Sequence, residues 1–118
     1  MAADAQRAAH TLRLRESRAR EARERRARAA REELDRRLAA CLPGRGAAWL
    51  IGSLAWGGFG TRSDIDVVAE GLSEAEAAAL ERSLGVIEGA AVEVLRLEEL
   101  PAAFQERVTR EGIRLGGG

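Results

Sequence analysis

The spacing of apolar positions changes character along this chain. Over residues 1–41 apolar side chains are thinly spread, Gly and Pro are absent, and Ala, Arg, Glu and Leu dominate. Helix propensity is therefore high throughout that stretch. Acid–Arg pairs four residues apart recur, as in Glu16 with Arg20, Glu21 with Arg25 and Glu24 with Arg28. Where formed, each such pair is expected to add about 0.2–0.5 kcal/mol to an exposed helix. From Ala27 onward, Ala27, Ala30, Leu34, Leu38 and Cys41 or Leu42 form an apolar stripe suited to docking on a domain. The pattern predicts one long helix whose first twenty or so residues project and fray. Pro43-Gly44-Arg45-Gly46 then ends the helix and turns the chain.

Beyond the turn the apolar runs shorten. Ala47-Ala48-Trp49-Leu50-Ile51 is continuous, apolar and closed by Gly52, the pattern of a buried strand. A glycine-rich loop containing Gly57, Gly58 and Gly60 follows. Residues 65–68, Ile-Asp-Val-Val, are β-branched and apolar apart from Asp66 and predict a second strand. Ser73, with Glu76 three residues on, is a capping box that opens a helix. This helix runs to Leu84, with Leu80 and Leu84 on one face, and Gly85 ends it. Residues 90–97, AAVEVLRL, predict a further strand, so the intervening helix reads as a βαβ crossover. By alternation Glu93 shares a face with Ala91 and Leu95, and Val92 and Val94 take the other. Pro101 suits the first turn of a last helix, in which Phe104 and Val108 are expected to face the core and Gly112 is the stop. Ile113-Arg114-Leu115 adds a final strand-like segment. The chain is thus an α/β (α+β) protein with two parts, an Arg/Ala/Glu-rich helix over residues 1–42 and a small domain over residues 43–118.

Composition sharpens this division. The formal net charge is zero, yet residues 1–40 carry twelve Arg against seven acids, a net of +5, and residues 41–118 carry the complementary −5. Such halves suit self-complementarity or a basic appendage for a partner. All 19 basic residues are Arg, which resembles the usage of a GC-rich coding sequence and warns against reading every Arg as chosen for its chemistry. One Cys and one His exclude an intramolecular disulfide, a CxxC metal site and a His-rich zinc site. His10 is expected to be exposed and idle. No apolar run reaches the length of a membrane span, and no signal core opens the chain. A cytoplasmic, reducing location is the expectation.

The chemistry concentrates in residues 52–68, GSLAWGGFGTRSDIDVV. In a strand Asp64 and Asp66 point the same way, about 7 Å apart at Cα from a rise of about 3.3 Å per residue. Two carboxylates so placed repel unless a cation separates them or one is protonated. Oxygen ligands suit Mg²⁺, which binds one or two carboxylates together with substrate phosphates. Gly52-Ser53 lies close in sequence and offers a turn able to receive those phosphates. An acid between Val92 and Val94 is costly to bury unless it is paired or metal-bound.

Gly52-Ser53, ten intervening residues, and Asp64-x-Asp66 together resemble the signature of the DNA polymerase beta-like nucleotidyltransferases. Gly57 and Ser63 fall where the minimal members of that superfamily place a glycine and a serine. The resemblance covers residues 46–118. It implies a small mixed β-sheet with helices packed on one face, here preceded by the long N-terminal helix. It also implies nucleotidyl transfer from an NTP, ATP above all, with two Mg²⁺ ions. Asp64, Asp66 and Glu93 are then the catalytic, metal-holding carboxylates, although Glu93 stands where the family usually has Asp. Gly52, Ser53, Arg62 and Ser63 are the nucleotide-binding residues. Leu54 and Trp56 replace the Arg common after the GS pair; Arg62, or more distantly Arg114, is the candidate substitute, and Trp56 is a candidate to stack on a base.

Stand-alone minimal nucleotidyltransferases resemble antitoxins encoded beside HEPN toxins, some of which transfer AMP to a tyrosine of the toxin. The implied function is transfer of AMP to a hydroxyl of a protein partner such as a HEPN-type toxin, with homo- or hetero-oligomerisation through the N-terminal helix. Two alternatives stay open. One is a catalytically weak binding module that neutralises a partner by contact. The other is an RNA-binding accessory protein using the N-terminal helix.

Overall fold

The computed structural model describes residues 2–116. Helix α1 (Ala2–Cys41) is continuous over 40 residues, about 60 Å at 1.5 Å per residue. It accounts for the 65 Å long dimension of a molecule only 29 × 22 Å across. Strand β1 (Ala47–Ile51), a one-turn helix α2 (Ser53–Trp56), β2 (Ile65–Glu70), α3 (Glu74–Leu84), β3 (Val86–Ile87), β4 (Ala90–Arg96), a 3₁₀ turn (Leu97–Glu99), α4 (Ala102–Glu111) and β5 (Ile113–Leu115) follow. The sheet order is β3-β4-β2-β1-β5. Only β2 and β4 run parallel; β1 is antiparallel to both β2 and β5, and β3 is antiparallel to β4. The parallel pair is joined through α3, as the crossover pattern predicts.

The resemblance implied helices on one face only, but the sheet is covered on both, by α1 and α3 on one side and by the 3₁₀ turn and α4 on the other, so the core has two sides. Ala30, Leu34, Leu38 and Leu42 of the α1 stripe pack with Leu80 and Leu84 of α3 over Leu50, Ile65, Val67 and Val92. Leu42, not Cys41, completes the stripe; Cys41 is exposed. On the other face Trp49, Ile51 and Val68 meet Leu97 and Val108. Cover on both sides explains why all five residues of β1 are buried, as its uninterrupted apolar run requires. The capping box is formed as expected: Ser73 Oγ accepts from the Glu76 N–H at 3.1 Å, and the Ser73 N–H donates to the Glu76 carboxylate at 3.0 Å.

Three local expectations are corrected. The glycine-rich segment contains α2, and the two-residue β3 adds a short hairpin before β4. Phe104 is 37% exposed, whereas Val108 is buried. Val108 packs with Trp49 and Ile51 of β1, and Gly112 lies against the same two residues, whereas Phe104, one turn before Val108, is outside that cluster.

The apolar stripe, not the whole of α1, carries its attachment. Leu34→Ala should cost about 2–5 kcal/mol, because Leu34 is fully buried. Leu14→Ala, at a position 41% exposed, should change stability by less than about 0.5 kcal/mol. Urea unfolding of both variants checks this; equal losses would mean that the outer half of α1 is packed as firmly as the inner half.

Candidate functional site

Strand β2 is the centre of the site. Its Ile65 and Val67 are completely buried against the α1–α3 face. The side chain between them, Asp66, must therefore point to the opposite face. Register then sets its neighbours: Asp66 is opposite Ile51 of β1 and Glu93 of β4. Register partners share a face of the sheet, and adjacent strands are about 4.8 Å apart, so Glu93 rises beside Asp66. Asp64 lies just before the strand and is exposed. Burial raises the proton affinity of the Asp66 carboxyl above the ordinary carboxylate value, and the nearby Asp64 charge raises it further.

The Gly52-Ser53 turn meets this group directly. Gly52 has φ +77°, and a Cβ at this position would lie 2.8 Å from Asp66 Oδ2. Only glycine fits there, for conformation and for space. Ser53 opens α2, whose first turn is closed by the Ala55 and Trp56 N–H groups donating to the Gly52 carbonyl. The start of the GS turn and the aspartate pair therefore converge at one end of the sheet.

Glu93 is exposed, and β4 is central only in part. Beyond Ala91 its outer edge has no strand partner. The Val92 N–H donates to the Gly85 carbonyl and the Val94 N–H to the Glu81 carboxylate of α3 at 2.9 Å, which blunts that edge. Among the described residues no three Asp, Glu, His or Cys side chains are gathered closely enough to hold a metal ion unaided. The oxygen-only pair Asp64–Asp66 nonetheless has the chemistry Mg²⁺ uses when phosphates complete its shell, and the repulsion that raises the Asp66 proton affinity is what a cation would relieve.

The remaining predicted residues fall less uniformly. Ser63 Oγ accepts from the Gly60 N–H at 2.9 Å, so it shapes the loop. Arg62 is exposed in the turn before Asp64. Arg114 is on β5, two strands from Asp66, with its guanidinium 5.5 Å from the Trp49 ring. Trp56 is in α2, 49% exposed, with its indole N–H donating to the Glu111 carbonyl at 3.0 Å.

Two residues of the neighbourhood escaped sequence reasoning. Arg107 of α4 places its guanidinium 5.6 Å over the Trp56 ring while donating to the Glu111 carboxylate at 2.9 Å, which sets an ion-paired cation beside the GS segment. Arg26 of α1 stacks on Phe59 at 4.5 Å and donates to the carbonyls of Gly60 at 2.7 Å and Glu88 at 2.7 and 3.0 Å. It thus fastens the glycine loop and the β3–β4 turn to α1. Nothing local distinguishes either Arg from its many neighbours in sequence.

A mixed sheet with β2 parallel to β4, a GS turn and an Asp-x-Asp strand is the architecture of polymerase beta-like nucleotidyltransferases, as the sequence resemblance implied. Comparison with solved structures agrees. A structure of a candidate minimal nucleotidyltransferase is 26% identical over 74% of this chain and 93% of its own, with a TM-score of 0.62. A toxin–antitoxin crystal structure with AMP-PNP is 21% identical over 75% of this chain and 73% of its own, with a TM-score of 0.58. A mutant of the toxin–antitoxin MntA–HpeT, in which two aspartates two residues apart are replaced by glutamate, is 19% identical over the same shares, with a TM-score of 0.60. No protein-family model and no curated protein matches the sequence. The chain has the minimal nucleotidyltransferase fold.

The Asp66 environment has a definite pH signature. Its folded-state proton affinity is raised, so the fold is favoured while Asp66 is protonated. Stability is lost as pH climbs from the ordinary carboxylate value of 3.8 through the raised one. In EDTA, Asp66→Asn should therefore be more stable than the parent at pH 7, with the gap closing as the pH falls toward 4. A less stable variant at pH 7 would show that Asp66 is held by a favourable partner instead. Gly52→Ala should lose at least about 1 kcal/mol in the same assay, and unchanged stability would contradict the close approach to Asp66.

Proposed function

We propose that this protein transfers AMP from ATP to a hydroxyl of a protein partner, as the antitoxin of a toxin–antitoxin pair, in the cytoplasm. The observation that carries the reading is the convergence of Gly52 on Asp66, with Glu93 as Asp66's register partner. It is supported by the likeness to a toxin–antitoxin structure holding the ATP analogue AMP-PNP. The partner implied by the resemblance is a HEPN-type toxin, presented to the carboxylate face of the sheet, with α1 as the element available for assembly.

In this reading the N–H groups beside Gly52 and the Ser53 hydroxyl hold the β- and γ-phosphates. Arg62 supplies positive charge from the turn beside Asp64. The acceptor oxygen attacks the α-phosphorus, the bond to the bridging oxygen breaks, and pyrophosphate leaves. Glu93 receives the acceptor's proton and orients its oxygen. Asp64 and Asp66, with Glu93, would hold Mg²⁺, two ions on the family's pattern, which supplies stabilisation of the attacking and leaving oxygens. Trp56, half exposed beside the GS turn, is the candidate to stack on a base.

The exposure of Glu93 and the lack of a closed three-carboxylate cluster favour a second reading, neutralisation of the partner by contact alone. One experiment separates the two. The protein is incubated with α-labelled ATP, Mg²⁺ and the product of the adjacent gene. Label should pass to the partner, and Asp64→Ala with Asp66→Ala should reduce transfer by about a hundredfold or more. If the double variant still neutralises the partner while the parent transfers no label, contact is the mechanism and transfer is not.

A further inference from the structure

A cleft of about 560 Å³ lies between α1 and the α2–glycine loop; it shares Ser53 with the proposed phosphate turn, and its α1 wall has no role in that reading. One wall is Arg20, Arg23, Arg28 and Arg31 of α1; the other includes Ser53 and Gly58. Neither aspartate nor Glu93 lines it. None of the four Arg makes an ion pair among the described residues. Of the other α1 cations, Arg36 and Arg37 pair with Glu33 and Arg26 is bonded to two backbone carbonyls; Arg7, Arg13, Arg15, Arg18 and Arg25 also make no ion pair among the described residues but do not line the cleft. One acid, Glu24, lies among the four, so the wall keeps a surplus of three positive charges. Nothing lies within 4 Å of a Cβ built at Gly57 or Gly58, so the opposite wall leaves room beside its backbone.

The spacing of these charges identifies what they fit. Arg20 to Arg31 spans eleven residues, about 16 Å of helix axis. Each strand of a DNA duplex carries one phosphate per about 3.4 Å of axis, and a single strand can stretch beyond that spacing, so the row faces several successive phosphates, about five at most. Arg13, two turns further out on the same side of α1, prolongs it. A single nucleotide concentrates its charge at one point and could engage only part of the row. Guanidinium groups bind phosphate in two-pronged fashion, so a row of them is suited to a backbone read without regard to sequence.

We propose that this cleft holds the phosphate backbone of a single-stranded RNA or DNA segment, at a site separate from the carboxylates. The site needs no divalent cation and does not depend on the transfer reaction. It is tested with the full chain in EDTA, using labelled oligouridylate and oligodeoxythymidylate and fluorescence anisotropy across a salt series. The logarithm of the binding constant should fall with the logarithm of salt with a slope of about −3, from about −0.7 per phosphate contacted. Arg20→Ala with Arg23→Ala, and separately Arg28→Ala with Arg31→Ala, should each flatten the slope by about 1.4, with helicity by circular dichroism unchanged. Preference for one of the two oligonucleotides tells RNA from DNA, and either supports the site.

Three results would overturn it. The first is no saturable binding, or slopes indifferent to both double variants. The second is displacement of the oligonucleotide by an equal concentration of inorganic triphosphate, which would make the cleft a nucleotide pocket. The third is self-association abolished by the same substitutions with no oligonucleotide bound. The basic arm would then be meeting the acidic body of a second copy.

Discussion

The register of β2 between β1 and β4 is the constraint on which the rest depends. Ile65 and Val67 fill the space under α1 and α3 with no exposure at all. A slip of one residue would turn both to the carboxylate face and drive Asp66 into the core under α1 and α3. Burying those two aliphatic side chains therefore also decides where the carboxylates go. The same register sets Ile51, and with it the start of the GS turn, on one side of Asp66 and Glu93 on the other. Packing on one face of the sheet thus positions chemistry on the opposite face, with no direct contact between the two.

Helix α1 divides its length between two roles. Its inner half is held by Leu34 and Leu38 in the core and by Arg37, whose guanidinium donates to the carbonyls of Leu84 and Val86. Those carbonyls belong to the end of α3 and to β3, so Arg37 satisfies backbone groups that a helix end would otherwise leave open. Arg26 does the same for the glycine loop and the β3–β4 turn, where Glu88 adopts a left-handed backbone at φ 50°. These two Arg fix the loop walls at a set distance from α1. The outer half of the helix has no such anchorage and extends the molecule well beyond the sheet.

What could be read from sequence followed the strength of its local signals. The capping box at Ser73 specified its helix because its two reciprocal hydrogen bonds are made within four residues. The α1 stripe and the strands at 47–51, 65–68 and 90–97 were legible because periodicity reports burial directly. The short α2 was hidden, since a single turn between glycines carries no period. β3 was hidden because two residues cannot alternate meaningfully. Phe104 misled because four-residue spacing from Val108 fixes a face and not how far along the helix that face is covered. At the site, the pairing of Asp66 with Glu93 was implied only through family likeness, and its register required the assembled sheet. Arg26 and Arg107 act over 34 to 62 residues of sequence for the one and against a Trp more than fifty residues away for the other, a range over which composition says nothing.

Glu93 bears on how the site would work as a whole. Its register is fixed, but its side chain stands exposed at the half of β4 that lacks an outer strand partner. Ordering a long acidic side chain costs up to about 1.5–2 kcal/mol in rotamer freedom. That cost is not met by the protein alone, since no opposing cation among the described residues pairs with Glu93. Asp66, by contrast, is confined between Gly52 and its strand neighbours and already feels Asp64. On the transfer reading the aspartate pair is therefore the preset part of the site, and Glu93 is the part drawn in when phosphates and acceptor arrive. A shorter Asp at the same position would have less freedom to lose, but it would also reach less far from the strand. On that reading the longer side chain trades prior order for reach at the carboxylate proposed to face the acceptor.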